Sequence, residues 1–358
     1  MLDPRVSITG AGCHVPPHEV SNEELCEAFN GAARETDPEA QLSSPEFIFK
    51  VSGIKSRHLW DREGVLDQAR MCANIPDRPD DELSVQAEFA LASARKALEE
   101  AGRAPEDVDL IVLGASSLQR PYPALAIEVQ AALGASGFAF DISVGCSSGV
   151  YAIQQAYDAI RAGRSKCALV CVPEIPSAYA NFRNRDSHFI LGDASAAVVL
   201  EPDRPGFEII DSTLVSRFSN NIRNNCGFIN RCDPENRDNA DKLFYQQGRR
   251  VFRDIAKLVP TVVEAQLSRL KLTPSDIGAY WLHQANARLN IAIGERLVGP
   301  GANGRFPMVL ETQGNTAAAG ALVSFAENRD QLREGDYGVI CAFGAGYTIG
   351  SLLVRKHT

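Results

Sequence analysis

The chain has no long apolar run, no cysteine–histidine ligand pattern and no excess of positive charge. Its apolar stretches, such as Asp109–Gly114 and Cys167–Val172, have strand length and fall far short of a bilayer span. No membrane segment is expected. Met1-Leu-Asp-Pro-Arg5 leads straight into the short run Val6–Thr9, and nothing there has the make-up of a signal peptide. The formal net charge of −9 sets aside general nucleic-acid or anionic-membrane binding. Nine cysteines is an odd number, and Cys167, Cys171 and Cys341 sit in apolar, strand-like contexts. Reduced, buried thiols in the cytoplasm are expected, not a disulfide framework. Cys226 and Cys232 flank a polar loop without Cys-x-x-Cys spacing, so no metal site is expected. Gly10-Ala-Gly12 invites a dinucleotide-binding reading. The third glycine position is Val15, with Pro16 where a helix should run, and a non-catalytic dinucleotide-binding protein is set aside.

What the chain does have is a repeat. It is 358 residues long and 45% hydrophobic, enough for a large core. Ala104–Ala115 parallels Thr273–Gln284: a helix precedes, Pro and Asp mark a turn, and an apolar strand follows. Pro105 corresponds to Pro274, 169 residues later, and the same offset carries Gly114 to His283, Cys146 to Asn315 and Val170 to Val339. Two copies imply two similarly built α/β halves, 1–203 and 204–358, and not a solenoid. Gly192–Leu200 pairs best with Gly346–Val354 at an offset of 154, which leaves about 15 extra residues near Pro173–Phe189. A cap or a dimer contact is expected there.

Cys146, His283 and Asn315 fall at strand-to-helix junctions in this scheme, where matching strand ends share a cleft. The strand-like run Phe138–Val144 ends at Gly145. Val150, Ile153, Tyr157 and Ile160 then have helical spacing, with Gly163 as a stop. Cys146 at the start of that helix is expected to have a lowered thiol pKa and to act as a nucleophile. Its own amide and one from the turn Gly344-Ala345-Gly346 would hold the oxyanion of an attacked thioester. Decarboxylation of a malonyl thioester supplies a carbanion without a strong base. Its enolate oxygen wants neutral donors, and an imidazole and a carboxamide fit that need better than a Cys-His-Asp set.

These residues resemble the β-ketoacyl-acyl-carrier-protein synthase III family of thiolase-superfamily condensing enzymes. The likeness runs from Ile8–Pro16 and Ser21-Asn-Glu-Glu-Leu25 through Gly53–His58, Cys146, Leu191-Gly-Asp193, His283-Gln-Ala-Asn286 and Gly314-Asn-Thr316 to the final Gly-Ala-Gly turn. It implies a five-layered αβαβα fold of two duplicated halves. It implies condensation of an acyl-CoA primer with malonyl-acyl-carrier protein, through an acyl-cysteine, in fatty acid biosynthesis, with no cofactor beyond the coenzyme A thioester. Cys146 would be the nucleophile, His283 and Asn315 the decarboxylation and condensation pair, and Cys146 and Ala345 the oxyanion amides. Phe47, where the family has tryptophan, and Arg185 would bind coenzyme A. Tyr122 would line the acyl channel of the partner subunit in a homodimer.

The acidic carrier protein requires a basic patch on this acidic chain. Arg249, Arg253 and Lys257 share a helical face, opposite the stripe Val251, Ile255, Leu258 and Val262. Arg288 and Arg296 fall in the family's docking region. Extra residues around Gly31–Ser44 and Asp61–Asp81, the latter read as a long loop, are expected to reshape the entrance or acyl tunnel. The primer is then expected to range from acetyl up to medium chain. A degradative thiolase is disfavoured because Cys341 lies inside a strand, and a plant-type polyketide synthase because its Gly-Phe-Gly-Pro-Gly signature is absent. An acyltransferase without condensation, or a specialised-metabolite condensing enzyme, stays open.

Overall fold

The computed structural model describes residues 4–237, 239–301 and 303–357. The first half runs β1 (Val6–His14), β2 (Glu19–Ser21), α1 (Asn22–Thr36), α2 (Pro45–Ser52), β3 (Ser56–His58), α3 (Arg62–Leu66), α4 (Val85–Ala101), β4 (Leu110–Gly114), α5 (Leu125–Leu133), β5 (Phe138–Ile142), α6 (Ser148–Arg161), β6 (Ala168–Glu174) and β7 (Ala194–Pro202). The second runs β8 (Gly206–Ser219), β9 (Ile222–Arg223), β10 (Tyr245–Gln246), α7 (Gly248–Arg269), β11 (Ile277–Leu282), α8 (Ala287–Val298), α9 (Leu310–Gln313), α10 (Gly320–Asn328), β12 (Tyr337–Gly344) and β13 (Gly346–His357).

Strand order carries the duplication. Outward from the β1–β8 seam, one side reads β1-β7-β6-β4-β5 and the other β8-β13-β12-β11. The matching pairs β4–β6 and β11–β12 are both parallel, and β6–β7 and β12–β13 both antiparallel. The seam pairs only Ser7 with Glu208 and Ile8 with Phe207, so the two sides behave as two sheets.

Alternation along buried strands divides the core into layers. Val112 and Val170 face inward with Val150 and Ile153 of α6 and Leu322 and Phe325 of α10. Their neighbours Ile111, Leu169 and Cys171 face outward under α4 and α5. In the second half Tyr280, Leu282 and Val339 lie under α7 and α8. The layers are α4/α5, sheet, α6/α10, sheet, α7/α8: an αβαβα core. Gly10 and Gly12 lie inside β1, not in a phosphate-binding turn. A Cβ at Gly10 would stand 2.2 Å from the Ala97 carbonyl and one at Gly12 2.5 Å from the Ser93 carbonyl, so these glycines let α4 lie directly on the strand.

Each extra stretch of the first half carries a helical part, and the rest of each is loop, as expected for the second. Ser21 caps α1 in a reciprocal box with Glu24, and the helix continues to Thr36. Within Asp61–Asp81 the run Arg62–Leu66 folds as α3, because Asp61 accepts from the Gly64 amide (3.0 Å) and also clamps the Asn74 amide (2.7 Å). Ala32, Val65 and Met71 from these segments bury in one cluster with Leu25, Phe29, Ile48 and Leu59 beside them and with Phe182 and Ile190. The stretch Pro173–Phe189 is thus roofed by the insertions. Among the described residues no helix is long and apolar enough to cross a membrane, and no acidic or His/Cys cluster would hold a metal. All nine cysteines are free. Cys26, Cys167, Cys171 and Cys341 are buried, whereas Cys72, Cys226 and Cys232 are exposed.

Candidate active site

Cys146 sits in the turn that feeds α6. Gly145 adopts a left-handed φ of 59°, which glycine tolerates without strain. Ser148 Oγ accepts from the Val144 amide (2.8 Å) and donates to the Gly145 carbonyl (2.6 Å), closing the turn. Thr348 then staples it to the far end of the chain: its hydroxyl donates to the carbonyls of Val144 (3.1 Å) and Ala345 (2.9 Å). The fit is close. A Cβ at Gly344 would lie 2.6 Å from Cys146 Cβ and 3.0 Å from Sγ, so only glycine leaves room for this side chain.

The expected lowering of the Cys146 pKa is overturned. Burial pushes the thiol up to about 12, and Glu174, once ionised, adds to the rise. The amides of Ala345 and of Cys146 itself pull the other way. A helix N-terminus offers about 0.3–1 kcal/mol to an anion. A rise from 9 to about 12 corresponds to something on the order of 4 kcal/mol against the thiolate, so desolvation wins. The two amides facing the sulfur are the pair expected to form the oxyanion hole.

His283 follows β11 and is buried; its amide donates to the Cys341 carbonyl (2.8 Å). Burial holds its pKa down at about 4, with a hydrogen bond to the Ala317 backbone acting in the opposite direction, so the ring is neutral at pH 7. Its Nδ1 has no partner among the described residues, and Phe343 meets the ring edge-on at 5.3 Å. Asn315 is buried and makes an isolated bridge to Leu191: its amide donates to the Ile190 carbonyl (2.8 Å) and its carbonyl accepts from Gly192 (3.1 Å). The Ala317 amide donates to Asn315 Oδ1 (3.0 Å). A donor there fixes the carboxamide orientation and leaves the Nδ2 hydrogens to a ligand. Ala317 pays for this with a φ of 47°, unusual for a residue with a Cβ.

The three residues belong to one chain of contacts. Cys146 touches Gly344; Phe343 beside it packs on His283; His283 and Asn315 share Ala317. A cavity of about 1140 Å³ opens on Cys146, Gly145 and Ala345. Its walls include Leu118, Ile175, Tyr179, Ile222, Phe228 and Phe244. The stretch Ile222–Arg237 borders this cavity, so Cys226 and Cys232 are wall residues and not a separate centre.

The remaining expected residues fall in three places. The Arg185 guanidinium lies 4.0 Å above the Phe47 ring, a cation–π contact, and its Nε donates to the Leu42 carbonyl (2.9 Å). Tyr122 is 81% exposed and does not line its own chain's cavity. Arg249, Arg253 and Lys257 are exposed on α7, and Arg288 and Arg296 on the neighbouring α8. Arg253 pairs with Asp254 at 3.3 Å. The His-Gln-Ala-Asn motif is also scaffolding. Asn286 caps α8 by accepting from Arg288 (2.9 Å) and Leu289 (3.2 Å), and Gln284 Oε1 accepts from Val309 (3.0 Å) and Leu310 (3.2 Å).

Sequence reasoning missed Glu174, Ser116 and Arg57. Glu174 ends β6 fully buried, and burial raises its carboxyl to about 8. Arg57 is buried without a carboxylate, donating to the Val20 and Phe189 carbonyls (3.1 Å each) and Asn22 Oδ1 (2.7 Å). Its Cβ fills the space beside Gly192 and Gly314. A signal for Glu174 existed: a lone acid closing an otherwise apolar strand.

Comparison with known proteins bears on family and fold. Residues 140–217 match the model of 3-oxoacyl-acyl-carrier-protein synthase III, and residues 267–356 match its C-terminal counterpart. The chain is 44% identical over 321 residues to the β-ketodecanoyl-acyl-carrier-protein synthase of Pseudomonas aeruginosa, covering 88% of this chain and 92% of that one. It is 30% identical over 355 residues to the β-ketoacyl-acyl-carrier-protein synthase III of Rhodospirillum centenum, covering 98% and 99%. The crystal structure of 3-oxoacyl-acyl-carrier-protein synthase III from Pseudomonas aeruginosa superposes with a TM-score of 0.81 at 25% identity, covering 99% of each chain. Two duplicated halves in one αβαβα core, a cysteine under a glycine-rich turn and end-to-end likeness lead to one conclusion: the chain belongs to the 3-oxoacyl-acyl-carrier-protein synthase III family of condensing acyltransferases.

Proposed function

We propose that this enzyme condenses a medium-chain acyl-CoA with malonyl-acyl-carrier protein, with Cys146, His283 and Asn315 as its catalytic residues. The observation that carries the reading is the pairing of a thiol seated against two inward amides with two neutral donors around Ala317. In the first half-reaction Cys146 Sγ attacks the acyl-CoA carbonyl. The oxyanion is held by the Cys146 and Ala345 amides, the C–S bond to coenzyme A breaks, and the Cys146 proton leaves with the coenzyme A thiol. In the second, the malonyl carboxylate departs as CO2. The electron pair becomes an enolate whose oxygen is held by the His283 ring and Asn315 Nδ2; the enolate carbon attacks the acyl-cysteine carbonyl, the C–S bond to Cys146 breaks, and the released thiolate takes a proton from solvent to restore the thiol. A neutral imidazole suits that step, since a donor is wanted and no proton is abstracted; its single N–H leaves the Ala317 backbone for the enolate oxygen.

Primer length is argued from two sources. The Pseudomonas aeruginosa relative is named for a ten-carbon β-keto product, which is an eight-carbon primer plus two carbons. The cavity beside Cys146, about 1140 Å³ and largely apolar, has room for such a chain. Phe47 and Arg185 receive the nucleotide of coenzyme A, and the exposed cations of α7 and α8 receive the acidic carrier. A homodimer sets Tyr122 into the neighbouring cavity. No cofactor is needed beyond the thioester, and the free thiols suit a cytoplasmic setting.

Intact-mass analysis after incubation with acyl-CoAs from two to twelve carbons tests the reading. Wild type is expected to gain one acyl group, most completely near eight carbons, and Cys146→Ala none. Loading of the alanine variant, or loading confined to acetyl, would overturn the assignment of nucleophile or of primer respectively.

A further inference from the structure

Glu174 stands at the end of β6, between the wall of the Cys146 cavity and the turn that carries Ala317 and Ala318. Its Oε1 accepts from the Ser116 amide (2.5 Å) and the Ala318 amide (3.3 Å), and its Oε2 is 2.7 Å from Ser116 Oγ. Ser116 Oγ is in turn 2.9 Å from the Tyr179 hydroxyl. Ser116 and Tyr179 line the cavity on which Cys146 opens. Ala318 follows Ala317, whose amide orients Asn315 and whose backbone bonds His283. One carboxyl group therefore ties the cavity wall to the turn that sets both donors. That turn needs a tie, because Ala317 is held at a φ of 47°.

We propose that Glu174 is a positioning residue for condensation, pinning the Asn315–Ala319 turn against the Cys146 cavity wall through Ala318 and Ser116. The inference rests on the assignment of Asn315 and His283 to the condensation step. It adds that the acid serves by shape and hydrogen bonding and not as a carboxylate base. Burial favours the protonated form at neutral pH, in which Oε2–H donates to Ser116 Oγ, Ser116 passes its own hydrogen to Tyr179, and Oε1 still accepts both amides. A glutamine reproduces every one of these contacts, its Nε2 taking the place of the hydroxyl. An alanine leaves two buried amides without an acceptor and releases the turn.

The test compares Glu174→Ala and Glu174→Gln in three readouts: acyl loading of Cys146 by mass, CO2 release from malonyl-carrier, and the kcat–KM split for condensation. Glu174→Ala is expected to load within about threefold of wild type, to keep its KM for malonyl-carrier, and to lose about 100-fold in kcat, as for a misplaced donor set. Glu174→Gln is expected to restore kcat to within about threefold. Wild-type condensation by the alanine variant, equal loss of loading and condensation, or failure of glutamine to rescue would overturn the inference. An Asn315→Ala control separates the two levels. If it keeps CO2 release, the assignment of Asn315 fails and the inference with it. If it loses CO2 release while Glu174→Ala keeps it, only the role of Glu174 fails.

Discussion

At the scale of single residues, burial decides the chemistry more than local helix geometry does. The thiol of Cys146 and the ring of His283 are both kept neutral by desolvation, which suits the roles of stored nucleophile and neutral donor proposed for them. Glu174 extends the pattern and has a consequence for stability. In the unfolded chain it ionises near 4.5, whereas in the fold it holds its proton to about 8. Between those values the folded state binds more protons, so stability falls as pH rises. His188 and His283, lowered to about 4, act in the opposite direction but only below about 6.5, and Asp193, raised to about 6, is ionised by then. From pH 6.5 to 8 Glu174 is left to set the slope. Chemical denaturation is expected to show wild type losing on the order of 2 kcal/mol across that window, and Glu174→Gln staying flat. A flat wild-type profile would mean that the acid is ionised in the fold.

Among elements, α7 and α8 show how one helix serves core and surface at once. Val251, Ile255, Val259 and Val263 bury on one face of α7, and this leaves Arg249, Arg253 and Lys257 on the other. Asn286 caps α8 and brings Arg288 to the start of that helix, while its Nδ2 donates to the Val51 carbonyl of α2 (2.8 Å). Docking of an acidic carrier on this face predicts that Arg253→Glu with Arg288→Glu raises KM for malonyl-carrier about tenfold, steeply with falling salt. Loading from acyl-CoA should be unchanged. Steady-state kinetics at two ionic strengths checks both halves of the prediction. The helix faces were legible from four-residue spacing. The scaffolding roles of Gln284 and Asn286 were not, because their partners Val309, Leu310 and Val51 are distant in sequence or lie in another segment.

For the whole molecule, the strand order leaves β5 at the edge of the first-half sheet with no counterpart among the described residues of the second. Phe138 on that edge is 44% exposed, and Tyr122 and Ile127 nearby in the chain are 81% and 47% exposed. An unpaired edge with exposed apolar side chains invites pairing with a second copy. The proposed homodimer predicts that wild type sediments as a dimer and that Phe138→Asp shifts it to monomer. Sedimentation velocity over a tenfold concentration range is the measurement, and a monomeric wild type would remove Tyr122 from the acyl channel.

The sequence by itself determined the duplication and the fold class and singled out the proposed trio, because period and offset carry each of them. Strand and helix patterns repeat at 169 residues, and the polar residues Cys146, His283 and Asn315 interrupt them at equivalent junctions. Only the tertiary structure decided the electrostatics. Whether a thiol at a helix start is acidic depends on how much protein surrounds it, and here burial outweighs the helix end and reverses the expected shift. The same holds for Glu174 and Ala318, brought to 3.3 Å from positions 144 apart, a contact that no local pattern encodes.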